Sequence, residues 1–393
     1  MIRKISTSEL RIGMYVHELG RSWMDHPFVK SQFKVDHPKI IQKIASSGIR
    51  EVTIDTTRGL DIQELALPED EVLLATGTTD LSQLSRISVA EESARAKTLF
   101  REATSVIHNM MRDARLGKQV ELQSLDPLAE RMVQSTFRNS HALSSITRIK
   151  TKDEYTFMHC VSVAGLMTAF AREVGLEQEI IHQVAIGGMV HDLGKILVPD
   201  QILNKPGRLD QDEFGLMKQH VDFSDQLLKE HTGLSQQARD VVLQHHERMD
   251  GTGYPLGLRG DQISLIGQMS AIVDVYDALT SVRVYKEAWE PSVTLKKLLE
   301  WSPAQFNPGL VQSFIKCLGI YPIGSLVELE SGRVGIVIEQ GANMLRPRLR
   351  VIYNIKQEAF VRVSELDLAK EQTDRILGVR SPAELGVDLN DFM

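Results

Sequence analysis

The residues best suited to chemistry are histidines and aspartates set on apolar helical stripes. His191-Asp192 closes an apolar run from Ile180 to Val190, with Gly194 and then Pro199 as stop signals. Adjacent His and Asp on a helix point about 100° apart, so they can serve one metal cluster from two directions. The carboxylate has two oxygens and can bridge two cations. His159 shares a face with Val163, Leu166 and Phe170, the stripe of a buried helix. His245 follows Ala238, Val241 and Val242 on another inward face, with His246 beside it, and His220 lies beside Phe214, Met217 and Val221. Asp274 falls on the face of Ile263, Ile266, Gly267 and Ser270, with Asp277 one turn further on. A carboxylate in such a stripe is costly to bury unless it is paired or binds metal. A lone histidine on an apolar face is ordinary core; five histidines and two aspartates converging from five predicted helices are not. Imidazole and carboxylate without thiolate suit Fe, Mn, Ni or Zn.

The scaffold these side chains need is predicted by period. Residues 150–320 read as almost wholly helical, punctuated by Gly and Pro. Upstream, Arg86 to Met111 is helical, with Ala96, Leu99, Ala103, Val106 and Met110 on one stripe, and a second helical run spans Leu125 to Ile149. Residues 1–66 form a small mixed α/β domain. Its predicted strands are 10–19 and 49–56, with a short helix at Pro38 to Ser47. Residues 67–149 are read as linker and connecting helices. Beyond 320, residues 325–340 and 348–355 alternate like strands, so 321–393 is a β-rich extension whose end, from Leu366, reads as polar and loosely packed. The fold class is mainly α: an all-helical catalytic domain, a small α+β N-terminal domain and a short β-rich C-terminal extension.

Composition narrows the function classes. The chain has 393 residues, which suggests two or three domains. With 45 basic and 52 acidic residues the net charge is −7, which argues against a surface built for polymeric nucleic acid. The apolar stretch from Cys160 to Ala171 is too short to span a bilayer, and the N-terminus lacks the apolar core of a secretory signal. Two cysteines, Cys160 and Cys317, make no disulfide framework. The expectation is a cytoplasmic protein with no membrane partner.

The motifs resemble a known family. His191-Asp192-Leu193-Gly194-Lys195, then His245-His246-Glu247-Arg248-Met249-Asp250-Gly251-Thr252-Gly253-Tyr254-Pro255, closely resemble the HD-GYP family, HD-superfamily phosphohydrolases that degrade bacterial cyclic di-GMP. Asp274-Val275-Tyr276-Asp277-Ala278-Leu279-Thr280-Ser281 looks like that family's late aspartate motif. The likeness covers about 150–320.

The resemblance implies roles residue by residue. His159, His191, Asp192 and Asp274 match the ligands of one metal, and Asp192 would bridge to a second held by His220, His245 and His246. Asp192 and Lys195 are the expected catalytic residues, with Lys195 reaching a phosphate above the metals. Gly253, Tyr254 and Pro255 form the naming loop at the substrate, and Arg283 and Lys286 would grip its phosphates. The family's R-P-Y-K segment has Val284 in place of proline here. Members that hold a third metal carry Glu where this chain has Tyr155, with Glu154 on the wrong face, so two divalent transition-metal ions (Fe, Mn or Ni) are expected. The implied reaction is metal-assisted hydrolysis of cyclic di-GMP to pGpG or GMP by in-line attack of an activated water. Asp277 is a candidate proton donor only by its nearness to Asp274. The alternatives are a phosphodiesterase for another cyclic dinucleotide and a non-hydrolysing cyclic di-GMP receptor. The helix at 86–111 permits a homodimer without requiring one, and the GYP surface or the N-terminal domain could meet a signalling partner.

Overall fold

The computed structural model describes residues 2–7, 10, 14–19, 32–35, 40, 44, 49, 51–59, 81, 84–146, 155–229, 233–281, 288–371, 373–387, 389 and 392. The chain divides into two compact units, Met1–Asp80 and Leu81–Met393.

In the first unit, β1 (Ile2–Ser6), β2 (Tyr15–Glu18), β3 (Phe33–Lys34) and β4 (Glu51–Asp55) form an antiparallel sheet in the order β1-β4-β2-β3. Ile5, Val16, Val52 and Ile54 pack with Leu10, Met14 and Ile44 beneath it. β2 and β4 fall inside the two predicted strands. β1 and β3 fall outside the predicted strands; β3, with two residues, is too short for alternation to register. Of the predicted helix, Ile40 and Ile44 are helical and the remainder lies outside the described residues.

The second unit begins with α1 (Val89–Arg115). Ser88 caps it in a reciprocal box with Glu91: the Glu91 N–H donates to Ser88 Oγ at 3.3 Å, and the Ser88 N–H donates to Glu91 Oε2 at 2.8 Å. Arg112 and Arg115 in its last turn complement the helix dipole. The predicted stripe faces inward, with Ala96, Leu99, Ala103 and Met110 buried. The second run breaks after α2 (Asp126–Arg138), because Asn139 turns extended and its side-chain amide donates to Ile87 O at 2.8 Å.

The centre is α3 (Tyr155–Val174) packed on α4 (Gln178–Val190). Gly188 makes that packing close: a Cβ there would lie 2.6 Å from Ala164 Cα. Around them stand α5 (Gln211–Lys218), α6 (His220–Leu228), α7 (Gln236–Gln244), α8 (Leu265–Thr280), α9 (Pro291–Trp301) and α10 (Pro308–Leu318). One apolar cluster joins α1, α2, α3 and α4, and a second joins α3, α8, α9 and α10. Thus α1 and α2 are built into the core that carries the site. Among the described residues, no helix is long and apolar enough to cross a membrane.

The chain closes with β5 (Leu326–Leu329), β6 (Arg333–Glu339), β7 (Arg348–Asn354), β8 (Ala359–Asp367) and β9 (Ile376–Val379), antiparallel in the order β8-β7-β6-β5-β9. Among the described residues, the stretch after Leu366 is therefore paired rather than loose. β9 pairs with β5, and buried Asp374 accepts from Ser331 Oγ at 2.6 Å and Arg333 Nη2 at 2.8 Å. A four-residue strand in polar surroundings leaves no period to read.

Candidate metal centre

The site assembles where helix ends meet. His159 sits one turn into α3. His191 caps the C-terminus of α4, and Asp192 leads into a short 3₁₀ turn, Leu193–Leu197. Gly194 lets that turn press against the start of α6, since a Cβ there would fall 2.1 Å from His220 O and 2.4 Å from Ser224 N. Its N–H donates to Ser224 Oγ at 2.8 Å, and the Ser224 hydroxyl donates to His191 O at 3.1 Å. His220 therefore faces His191. The predicted helix through 214–221 breaks at Gln219, so His220 opens α6 and Phe214 is 47% exposed. His245 caps α7 and His246 follows. Gln244 ties this end to α8 by accepting the Ser264 N–H at 2.8 Å, and α8 supplies Asp274 and Asp277.

Backbone carbonyls orient three of the rings. Nδ1–H of His191, His220 and His245 donates to Gly188 O at 2.8 Å, Met217 O at 2.7 Å and Val242 O at 2.8 Å. Each Nε2 lone pair is thus turned inward. His159 is held differently, with Nδ1 2.6 Å from Asp277 Oδ2 and Nε2 3.0 Å from Asp274 Oδ1. Asp192 stands between two histidine sets. Its Oδ2 lies 3.3 Å from His191 Nε2 and 3.5 Å from His159 Nε2, while its Oδ1 lies 3.4 Å from His220 Nε2 and 3.9 Å from His245 Nε2. Asp274 reaches both sets, with Oδ2 3.6 Å from His246 Nδ1. In His220-His245-His246 and in His159-His191-Asp192, the ligand atoms of each set lie within 4.8 Å of one another.

The electrostatics favour cation binding. Burial pushes His220 down to about 4 and His246 down to about 3, and burial with the neighbouring histidines holds His245 well below the usual range. These rings are neutral at pH 7, as ligation requires. His191 runs the other way: burial opposes its charge, but Asp192, Asp274 and the Gly188 carbonyl outweigh it and raise the group. Burial likewise opposes ionisation of Asp192 and Asp274. Lys195 and His191 overcome it for Asp192, and His159 for Asp274, so both carboxyls lie well below their ordinary range. Two buried atoms at the centre, His191 Nε2 and Asp192 Oδ1, have no hydrogen-bond partner among the described residues. Left so, each such atom costs about 1–3 kcal/mol; a cation between them would satisfy both. The donor set fits divalent metal.

The remaining predicted residues divide. Lys195 Nζ lies 2.5 Å from Asp192 Oδ2, and its side chain is 21% exposed at the mouth. Tyr254 lays its ring against His246, with centroids 4.6 Å apart, and its N–H donates to His246 O at 3.2 Å. Gly253 is required by close approach, because a Cβ would lie 2.5 Å from Arg248 N. Pro255 follows in the same loop. Arg283 and Lys286, like Glu154, lie outside the described residues. Tyr155 stacks parallel to His159, with centroids 5.8 Å apart. The supporting roles of three residues escaped the sequence reading. Asp277 stands behind His159. Ser224 ties α6 to His191. Buried Glu247 accepts the Leu256 and Leu258 N–H groups at 2.8 and 3.0 Å and so holds the Tyr254 loop. The aspartate motif signalled Asp277 as a residue without its role; nothing local signals the other two roles.

A helical domain that gathers a His-Asp dipeptide with further histidines and an aspartate at one buried centre is of the HD type, a metal-dependent class of phosphohydrolase. Residues 126–308 match the family described as HD domain, and residues 2–125 match a domain of unknown function, DUF3391. The chain is 40% identical over 387 residues to cyclic di-GMP phosphodiesterase PA4108 of Pseudomonas aeruginosa, covering 98% of this chain and 93% of that protein. It is 34% identical over 169 residues to 3'3'-cGAMP-specific phosphodiesterase 2 of Vibrio cholerae, covering 43% of this chain and 32% of that one. The solved structure of an HDG"Y"P protein from Bdellovibrio bacteriovorus shares the fold with a TM-score of 0.51 and 17% identity, covering 81% of this chain and 99% of that one. The chain belongs to the HD-GYP family of HD-domain proteins.

Proposed function

We propose that the protein is a metal-dependent phosphodiesterase that hydrolyses cyclic di-GMP to pGpG or GMP. The observation that carries this reading is Asp192, a fully buried carboxylate whose two oxygens face two different sets of histidines. His220, His245 and His246 would hold one cation, and His159, His191 and Asp274 the other, with Asp192 shared. Fe, Mn or Ni fits these nitrogen and oxygen donors. Once bound, two such cations supply Lewis acidity toward phosphoryl oxygens and make water acidic enough to ionise near neutral pH.

The chain's own groups do the rest. Lys195 keeps its ammonium beside Asp192 at the mouth, placed to meet charge on a non-bridging phosphate oxygen. The Tyr254 ring packs against His246 on one side of the centre. Arg283 and Lys286 would hold the second phosphate of a cyclic dinucleotide and so position the first. The chemistry is assigned to residues 150–320, with 1–66, 67–149 and 321–393 as the flanking parts. The near full-length similarity to PA4108 supports cyclic di-GMP over other cyclic dinucleotides.

Product chromatography with metal-replete and exhaustively chelated protein, offered cyclic di-GMP and 3'3'-cGAMP, tests the proposal. Hydrolysis of cyclic di-GMP that is lost on chelation and restored by Fe, Mn or Ni is expected. Unchanged activity after chelation would overturn the metal scheme. Tight binding without turnover in metal-replete protein would identify a receptor instead.

A further inference from the structure

A cavity of about 410 Å³ opens in the second unit where the start of α1, the end of α2 and the last turns of α3 and α10 meet. Arg86, Ser140, His141 and Arg172 supply its polar wall, and Ile87 and Cys317 are among its apolar neighbours. Arg172 stands thirteen positions beyond His159 on the same helix, a rise of about 20 Å. The cavity is therefore separate from the metal centre.

Other charges on this wall are already matched. Arg138 donates to both Glu92 oxygens at 2.8 Å, and Glu173 pairs with Lys316 at 2.7 Å. Arg86 and Arg172 have no carboxylate in ion-pair reach among the described residues. Arg172 is fixed by donating to the Thr136 carbonyl and by stacking 4.6 Å above the Phe137 ring. Burial, and after it the charge of Arg86, push its guanidinium below the usual range, so the two cations repel across the cavity. His141 adds a buried Nδ1 with no hydrogen-bond partner among the described residues, and its backbone is pinned by donating to Asn139 Oδ1 at 3.0 Å.

We propose that this cavity is a second ligand site, which binds a phosphomonoester dianion through Arg86, Arg172 and His141. Two guanidinium forks match phosphate oxygens in charge and geometry. The volume lies in the range of small-molecule sites, so it admits the phosphate with an organic group of mononucleotide size against Ile87 and Cys317. Such a ligand has two sources: the 5'-phosphate end of the nucleotides that the proposed hydrolysis releases, or an unrelated phosphorylated metabolite. The site itself does not depend on that hydrolysis.

The test is calorimetric titration of the full chain with GMP, glucose 6-phosphate, inorganic phosphate and guanosine. Saturable binding of the phosphorylated probes, and none of guanosine, is expected at this site. Each charge-assisted contact to phosphate is worth about 1.5–3 kcal/mol, so R86A and R172Q should each weaken binding about tenfold or more, while D192N leaves it in place. Arg86 is exposed, so R86A reads the contact without disturbing the fold. GMP binding far tighter than glucose 6-phosphate identifies the released nucleotide as ligand; equal binding identifies a general phosphate site. Absence of saturable binding at millimolar concentration, or binding that survives both arginine variants, overturns the proposal. Binding lost in D192N but kept in R86A would place the anion at the metal centre and overturn it equally.

Discussion

Replacing Asp277 with alanine should loosen the metal centre without touching any proposed ligand. Asp277 Oδ2 accepts from His159 Nδ1 at 2.6 Å, and both side chains are buried. Alanine removes the acceptor of that buried N–H, a penalty of about 1–3 kcal/mol. It also frees the ring to rotate, which takes Nε2 away from Asp192 and Asp274. An outer-shell partner of a ligating histidine typically carries 10–100-fold in metal affinity, which agrees with that energy at about 1.4 kcal/mol per factor of ten. Asp277→Asn keeps an oxygen acceptor but not the charge, so it should fall between alanine and wild type. Competition against a chromogenic chelator gives the affinity, and urea melts of the same preparations confirm the fold. Bonded behind His159, Asp277 is placed to position that ring rather than to donate a proton. Wild-type metal affinity in folded Asp277→Ala would refute that role.

Two further outcomes follow from the same contacts. Gly194→Ala would put a methyl 2.1 Å from His220 O, and overpacking of this kind destabilises by about 1–3 kcal/mol; a lower Tm with reduced metal content is expected, and an unchanged Tm and content would contradict the close approach. The metal-free protein should lose stability as pH falls from about 6.5 towards 4. His220, His245 and His246 have folded pKa values below the unfolded 6.5, so the unfolded chain takes up their protons first, and His220 alone, at about 4, contributes roughly 3 kcal/mol; His191, raised, works against this. Urea midpoints that stay flat across that range would show that these rings are not buried as described.

The residues gathered at the candidate centre could be picked out in the sequence because they lie in motifs or on apolar helical stripes. His191-Asp192 ends such a run, and His245-His246 leads directly into the Gly253-Tyr254-Pro255 loop. What supports them could not be read, because each support joins distant parts of the chain. Asp277 meets His159 across 118 positions, and Ser224 meets His191 across 33. Glu247 works through backbone N–H groups, which no side-chain pattern encodes. The same limit explains the strands: β1, β3 and β9 are defined by their neighbours in a sheet, not by their own alternation. The break at Gln219 coincides with the close approach of Gly194 to the start of α6, a tertiary contact that a local helical period does not encode.

In the proposed centre Asp192 serves both sets of histidines at once. Asp192→Asn keeps the shape of the side chain but removes the charge that would draw the two proposed cations together. Elemental analysis and cyclic di-GMP turnover, measured on one anaerobic preparation of this variant beside wild type, test it directly. Loss of metal and of hydrolysis together is the predicted result. A folded Asp192→Asn protein with its full metal complement and undiminished turnover would contradict it.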